Sequence, residues 1–107
     1  MARVRVSLDR FRSAVEEAMD AFPEPFQRYL EYTEVVVADG SVEGPLGLYE
    51  GATALSSGYG MPERITIYKR PHEDRAETWG ELVAEVRRTV LHEVGHHFGM
   101  EEDDLPY

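Results

Sequence analysis

The chain has 107 residues, enough for one compact domain, and 42% of them are hydrophobic, which argues against a disordered chain. Eleven basic against twenty-one acidic residues give a net charge of −10. Such a surface repels phosphate backbones and anionic headgroups, so neither nucleic acid nor a membrane is an expected partner. There is no apolar run near the ~20 residues of a membrane-spanning helix, no apolar secretion core at the start, and no cysteine; a cytoplasmic location is the expectation.

Ser7 can cap a first helix, in which Leu8, Phe11, Val15 and Met19 recur at helical spacing, and Pro23 ends it. Pro25 can open a short second helix carrying Phe26, Tyr29 and Leu30. The β-branched stretch Glu34-Val35-Val36-Val37-Ala38, bounded by Asp39-Gly40, reads as a buried strand. Gly47-Leu48-Tyr49-Glu50 reads as a short strand between glycines. Residues 56–62 are a flexible loop by composition, and their glycines lack the G-x-x-x-x-G-K of a phosphate loop. Arg64-Ile65-Thr66-Ile67-Tyr68 alternates as a strand should, and Pro71 is read as its end. Thr78-Trp79-Gly80-Glu81 is a capping box that opens a long helix running to Phe98, with Gly99 placed for a left-handed C-cap. With no repeat and no linker, these elements predict a single α+β domain over 1–107. Its small sheet, of three or four strands, packs on the N-terminal helix and the long C-terminal helix.

The long helix carries His92-Glu93-Val94-Gly95-His96 in its last turns. Histidines four residues apart stand on one helix face, so both rings can reach one metal ion, with Glu93 beside them. Two neutral imidazoles suit zinc, which lowers the pKa of water toward ~7, and the carboxylate can take the proton; this is the H-E-x-x-H signature of zinc hydrolases. Projected round the helix from His92, the apolar residues Trp79, Leu82, Val83, Val86, Val90 and Val94 fall between roughly 80° and 200°. His92 and His96 lie on the flank of that stripe, beside Thr89 and Glu85, where a cleft wall is expected. His97 falls inside the stripe at roughly 140° and reads as a buried core histidine. Gly95 costs the helix about 1 kcal/mol against alanine, so something is expected to pack close to it.

A catalytic zinc needs a third protein ligand and an open position. Thiolates are excluded, and His72 is far back in sequence. The acidic run Met100-Glu101-Glu102-Asp103-Asp104 follows the Gly99 turn at once. Glu102 stands three residues past the glycine, the ligand slot of H-E-x-x-H-x-x-G-x-x-H; Asp103 is the alternative.

The stretch from Arg87 to Gly99, with the acidic run and Leu105, resembles the minimal zincins, small bacterial zincin-like metallopeptidases. The resemblance extends to Leu46-Gly47-Leu48-Tyr49-Glu50-Gly51 and to Glu63-Arg64-Ile65-Thr66-Ile67-Tyr68-Lys69-Arg70-Pro71, and covers about Phe11 to Leu105. It implies a zinc cofactor on His92, His96 and an acid after Gly99, with Glu93 as general base. The family usually has Asp where Glu102 stands, which leaves Glu102 and Asp103 both open.

The expected activity is that of a zinc metallopeptidase, a hydrolase in which Glu93 takes a proton from the attacking water and passes it to the leaving amine. With the chain ending at Tyr107, no C-terminal subdomain or Met-turn is expected beneath the metal. A second oxyanion donor would then be upstream, at Tyr49 or Tyr59, although a structural tyrosine is the better expectation. An open half-cleft implies weak activity, a peptide or unfolded-protein substrate, laid along Leu48, Tyr49 and Glu50 by strand addition if that strand is a sheet edge, or a protein partner that completes the site. The rival reading is a zinc-binding or degenerate zincin module without turnover, acting in protein interaction. Glu93 weighs against it, because a purely structural site has no use for a base beside its first ligand.

Overall fold

Ser7 opens helix α1 (Leu8–Asp20) by accepting a hydrogen bond from the Arg10 backbone N–H at 3.1 Å. The computed structural model describes residues 3–31, 33–50 and 63–97, the side chains of 25, 29 and 94–97 excepted. The remaining elements in chain order are α2 (Glu24–Leu30), β1 (Thr33–Ala38), β2 (Gly47–Glu50), β3 (Glu63–Tyr68), α3 (Lys69–Glu73) and α4 (Trp79–His97). The fold is α+β, as the pattern of elements predicts. Among the described residues the sheet has three strands, in the order β1-β3-β2, with β1 parallel and β2 antiparallel to the central β3.

Two helices cover the sheet. Phe11, Ala14, Val15 and Ala18 of α1 and Leu82, Val86, Val90 and Leu91 of α4 are buried together with Ile65 and Ile67 of β3. The alanines at 14 and 18 keep the α1 surface low, so α4 can approach closely. Two polar contacts tie α1 to the start of α4: Trp79 donates its indole N–H to Glu17 at 3.2 Å, and the Arg10 guanidinium lies 4.4 Å from the Trp79 ring centre.

Three expectations from the sequence change. The stretch Glu34–Ala38 reads as a buried strand, yet Glu34 is exposed and 35–38 are half-buried. Strand β1 lies at the end of the strand order, with β3 as its one described neighbour, so its β-branched side chains cannot be enclosed on every side. Burial concentrates instead on β3, where Ile65, Thr66 and Ile67 are buried in succession and the expected alternation is lost. Pro71 does not end β3; the strand stops at Tyr68, and Pro71 sits in the first turn of α3, a helix the pattern does not announce. Proline is tolerated there because first-turn N–H groups have no partner within the helix.

The capping box at α4 forms with a shift. Thr78 Oγ1 accepts from the Glu81 N–H at 3.2 Å, while the Glu81 carboxylate reaches back to the Glu77 N–H at 3.1 Å, one residue before the cap. The helix runs to His97. The loop at 56–62, the reach to Phe98 and the Gly99 cap fall outside the described residues.

Candidate active-site cleft

Strand β2 and helix α4 meet at Gly47. A Cβ there would stand 2.9 Å from Cγ2 of Thr89, 3.3 Å from the Thr66 carbonyl oxygen and 3.6 Å from Cγ of Glu93. A side chain at 47 would push the helix off the strand; glycine lets Glu93 come up against the end of the sheet. This close approach is at Gly47; whatever surrounds Gly95, where the helix pattern places it, lies outside the described residues.

Beside this contact is a cleft of about 300 Å³. Its floor is one face of α4, Glu85, Arg88, Thr89, His92 and Glu93, and its wall is Leu46 and Gly47. Arg75, from the turn after α3, completes the lining. His92 and Glu93 are both partly buried, on the flank of the apolar stripe. His96 follows on α4, one helical turn further. Its side chain, like those of His97, Tyr59, Glu102 and Asp103, lies outside the described residues. Among the described residues no group of three or more His, Asp or Glu could hold a metal ion. The donors on α4 are imidazole and carboxylate, a set that suits zinc, with His92 opening into a cleft rather than into the core.

Behind the cleft floor sits His72, a residue for which the sequence pattern suggests no role. It is fully buried, and its ring packs 5.7 Å from that of Phe11. Its Nδ1 is 2.6 Å from the Tyr68 carbonyl oxygen, so Nδ1 carries a proton and donates it. Its Nε2 is 2.7 Å from Thr89 Oγ1, which also lies 3.1 Å from the Glu85 carbonyl. Burial lowers the His72 pKa, opposed by the hydrogen bond to Tyr68 and the charge of Glu85, with Arg75 adding to the lowering. In the neutral ring Nε2 is an acceptor, and the single Thr89 hydroxyl proton points to it. Protonating His72 would turn that hydroxyl toward the Glu85 carbonyl. Thr89 is thereby held between the buried histidine and the cleft.

On the strand side, Leu48 is 43% exposed and Glu50 is exposed, while Tyr49 is half-buried against the core. A structural role for Tyr49 fits that packing. β2 is an end strand of the described sheet, and it pairs with β3 along one side.

Of the cleft residues, Glu85, Thr89, His92 and Glu93 follow from helical spacing. Arg88 could have been found the same way, being three residues from Glu85 and four from His92. Arg75 and His72 could not, since their places depend on the unannounced α3.

An α+β fold with H-E-x-x-H on its long helix meets the requirements of the zincin class. The chain belongs to the zincin-like metallopeptidase family, whose model matches residues 1–107. Among solved structures it is similar to a conserved hypothetical protein from Thermo thermophilus, with 27% sequence identity and a TM-score of 0.61 over 87% of this chain and 94% of that one. Among curated proteins none matches. No described helix is long and apolar enough to cross a membrane.

Proposed function

We propose that the protein is a zinc-dependent peptidase in which His92, His96 and Glu102, or Asp103 in its place, hold the metal and Glu93 is the general base. The observation that carries this reading is the joint exposure of His92 and Glu93 to one cleft, at the point where α4 touches the end strand β2. A zinc ion held there supplies a Lewis acid that makes water acidic near neutral pH and polarises a carbonyl. The chain's own groups do the rest. The Glu93 carboxylate accepts the proton of the attacking water and delivers it to the leaving amine nitrogen. An extended peptide laid along Leu48, Tyr49 and Glu50, on an end strand of the described sheet, would be oriented with its scissile bond over His92. Gly47 fixes how far Glu93 stands from that strand, and so from the bond.

Elemental analysis of zinc-loaded protein, paired with digestion of a peptide library with and without chelator, tests the reading. About one zinc per chain, lost in His92→Ala together with chelator-sensitive cleavage, is the expected result. Zinc bound without turnover on any peptide would favour the interaction module instead. Failure to bind zinc under excess metal would refute the ligand set. Alanine at the true third ligand should weaken zinc strongly and at its neighbour only slightly; equal small effects of Glu102→Ala and Asp103→Ala would leave two protein ligands.

A further inference from the structure

The cleft does not share the strong acidity of the protein: Arg75 and Arg88 balance Glu85 and Glu93 among its lining residues. Within a chain of net charge −10, two arginines share one cleft with His92 and Glu93. Arg88 is answered by Glu85 at 3.0 Å. Arg75 is exposed, and among the described residues its guanidinium makes no hydrogen bond or ion pair; Arg5, Arg28 and Arg70 share that state, but of the four only Arg75 lines this cleft. Where acids outnumber bases almost two to one, an arginine left unpaired at a cleft wall is a binding group in waiting. The overall field repels anions at long range, but screening confines it to about 8–10 Å, and at contact distance an unpaired guanidinium can still bind a carboxylate directly.

We propose that Arg75, in the cleft it lines with Arg88, is a subsite for a carboxylate of the peptide substrate, either an Asp or Glu side chain or a free C-terminus. This rests on the peptidase reading, and it gives that reading a substrate class. Arginine's planar fork accepts a carboxylate through two N–H donors, a geometry that an amide of the same size does not match. The spacing sets where the acid falls. From Arg88 to His92 the helix rises about 6 Å, and from Glu85 to His92 about 10 Å. An extended peptide advances ~3.3 Å per residue, so a carboxylate held level with Arg88 or Glu85 presents a bond roughly two to three residues away to His92 and Glu93.

The test offers a degenerate peptide library, in free-acid and C-terminally amidated forms, to immobilised zinc-loaded protein, and reads both capture and cleavage by mass spectrometry. Asp and Glu peptides should be captured about tenfold more than their Asn and Gln counterparts, with cut bonds clustered a fixed two to three residues from the acid. That preference, kept on amidation, identifies a side-chain carboxylate; if the C-terminus is the bound group, free-acid peptides are instead captured about tenfold more than their amidated forms whatever the side chain, and either preference is the ratio read in the variants. Arg75→Gln should bring the ratio close to one and Arg75→Lys should restore part of it. Arg12→Gln, which removes the same charge from α1, should leave it unchanged. An unaltered ratio in Arg75→Gln, or an equal fall in Arg12→Gln, overturns the subsite. Cleavage without acid preference refutes the subsite and leaves the peptidase; Arg75-dependent capture without any cleavage supports the subsite and refutes the peptidase.

Discussion

Two histidines flank Thr89 and have opposite fates. His72 is wholly enclosed, with its ring nitrogens committed to the Tyr68 carbonyl and the Thr89 hydroxyl. His92, three residues beyond Thr89 on α4, is partly buried and lines the cleft beside Glu93. The same side chain serves packing on one side of the helix wall and, on the proposed function, chemistry on the other. What separates them is access: the His72 ring is sealed from solvent with both nitrogens engaged and has no lone pair left for a metal, whereas His92 faces a cleft.

The sharpest way to probe the chemical side is Glu93→Gln. The amide preserves size but cannot take the proton of water, and peptide turnover should fall by about 10²–10⁴ while zinc affinity and thermal stability hold. Turnover undiminished in that variant would remove Glu93 from the mechanism, and unfolding would move it to the structural side of the comparison.

On the structural side, His72→Ala opens a cavity next to Phe11 and strands a buried carbonyl and hydroxyl. It should cost about 2–4 kcal/mol, read as a fall in Tm of about 10–20 °C. His92→Ala should cost less than about 1 kcal/mol, since a half-exposed residue has little packing to lose. Equal losses in urea denaturation would erase the distinction between the two histidines.

Gly47→Ala asks how tightly the cleft wall is set. Its Cβ would meet Thr89 Cγ2 and the Thr66 carbonyl, and only the first can yield. A loss of about 1–3 kcal/mol is expected. Thr89→Ser, which removes the methyl group and keeps the hydroxyl for His72, should recover part of it in the double variant. Additive losses would mean that the Thr66 backbone alone sets the limit.

The smallest effect expected is on pH dependence. Burial holds the His72 pKa below the ordinary 6.5, so the unfolded chain binds this proton more readily than the folded one. Its contribution is fully present above the unfolded value and is lost as pH falls from about 6.5 through the lowered folded pKa. Unfolding scans between pH 8 and 5 should show that loss in the native chain and a shallower one in His72→Gln. A contribution that grows on acidification would show that His72 is charged in the folded state.

The local signals in the sequence are strong wherever neighbouring residues decide the outcome. The Ser7 cap, the Thr78–Glu81 cap, the strand at 47–50 and the placing of Glu85, Thr89, His92 and Glu93 on one helix flank all depend on side chains within a turn or two of each other. The α+β class follows from the same periodicities. Tertiary structure decided the rest. Which strand lies at the centre depends on pairing across the sheet: the apolar run at 35–37 became a half-buried strand, while β3, no more apolar, became the core. The chain contacts that make His72 structural and bring Arg75 to the cleft arise between α3 and α4, and no periodicity within either segment encodes them. The fit of Gly47 against Thr89 is likewise a contact between elements 42 residues apart. Hydrophobic period and capping act along the chain, whereas burial and charge environment are properties of the packed whole, and the chemistry of a histidine or an arginine is set by the latter.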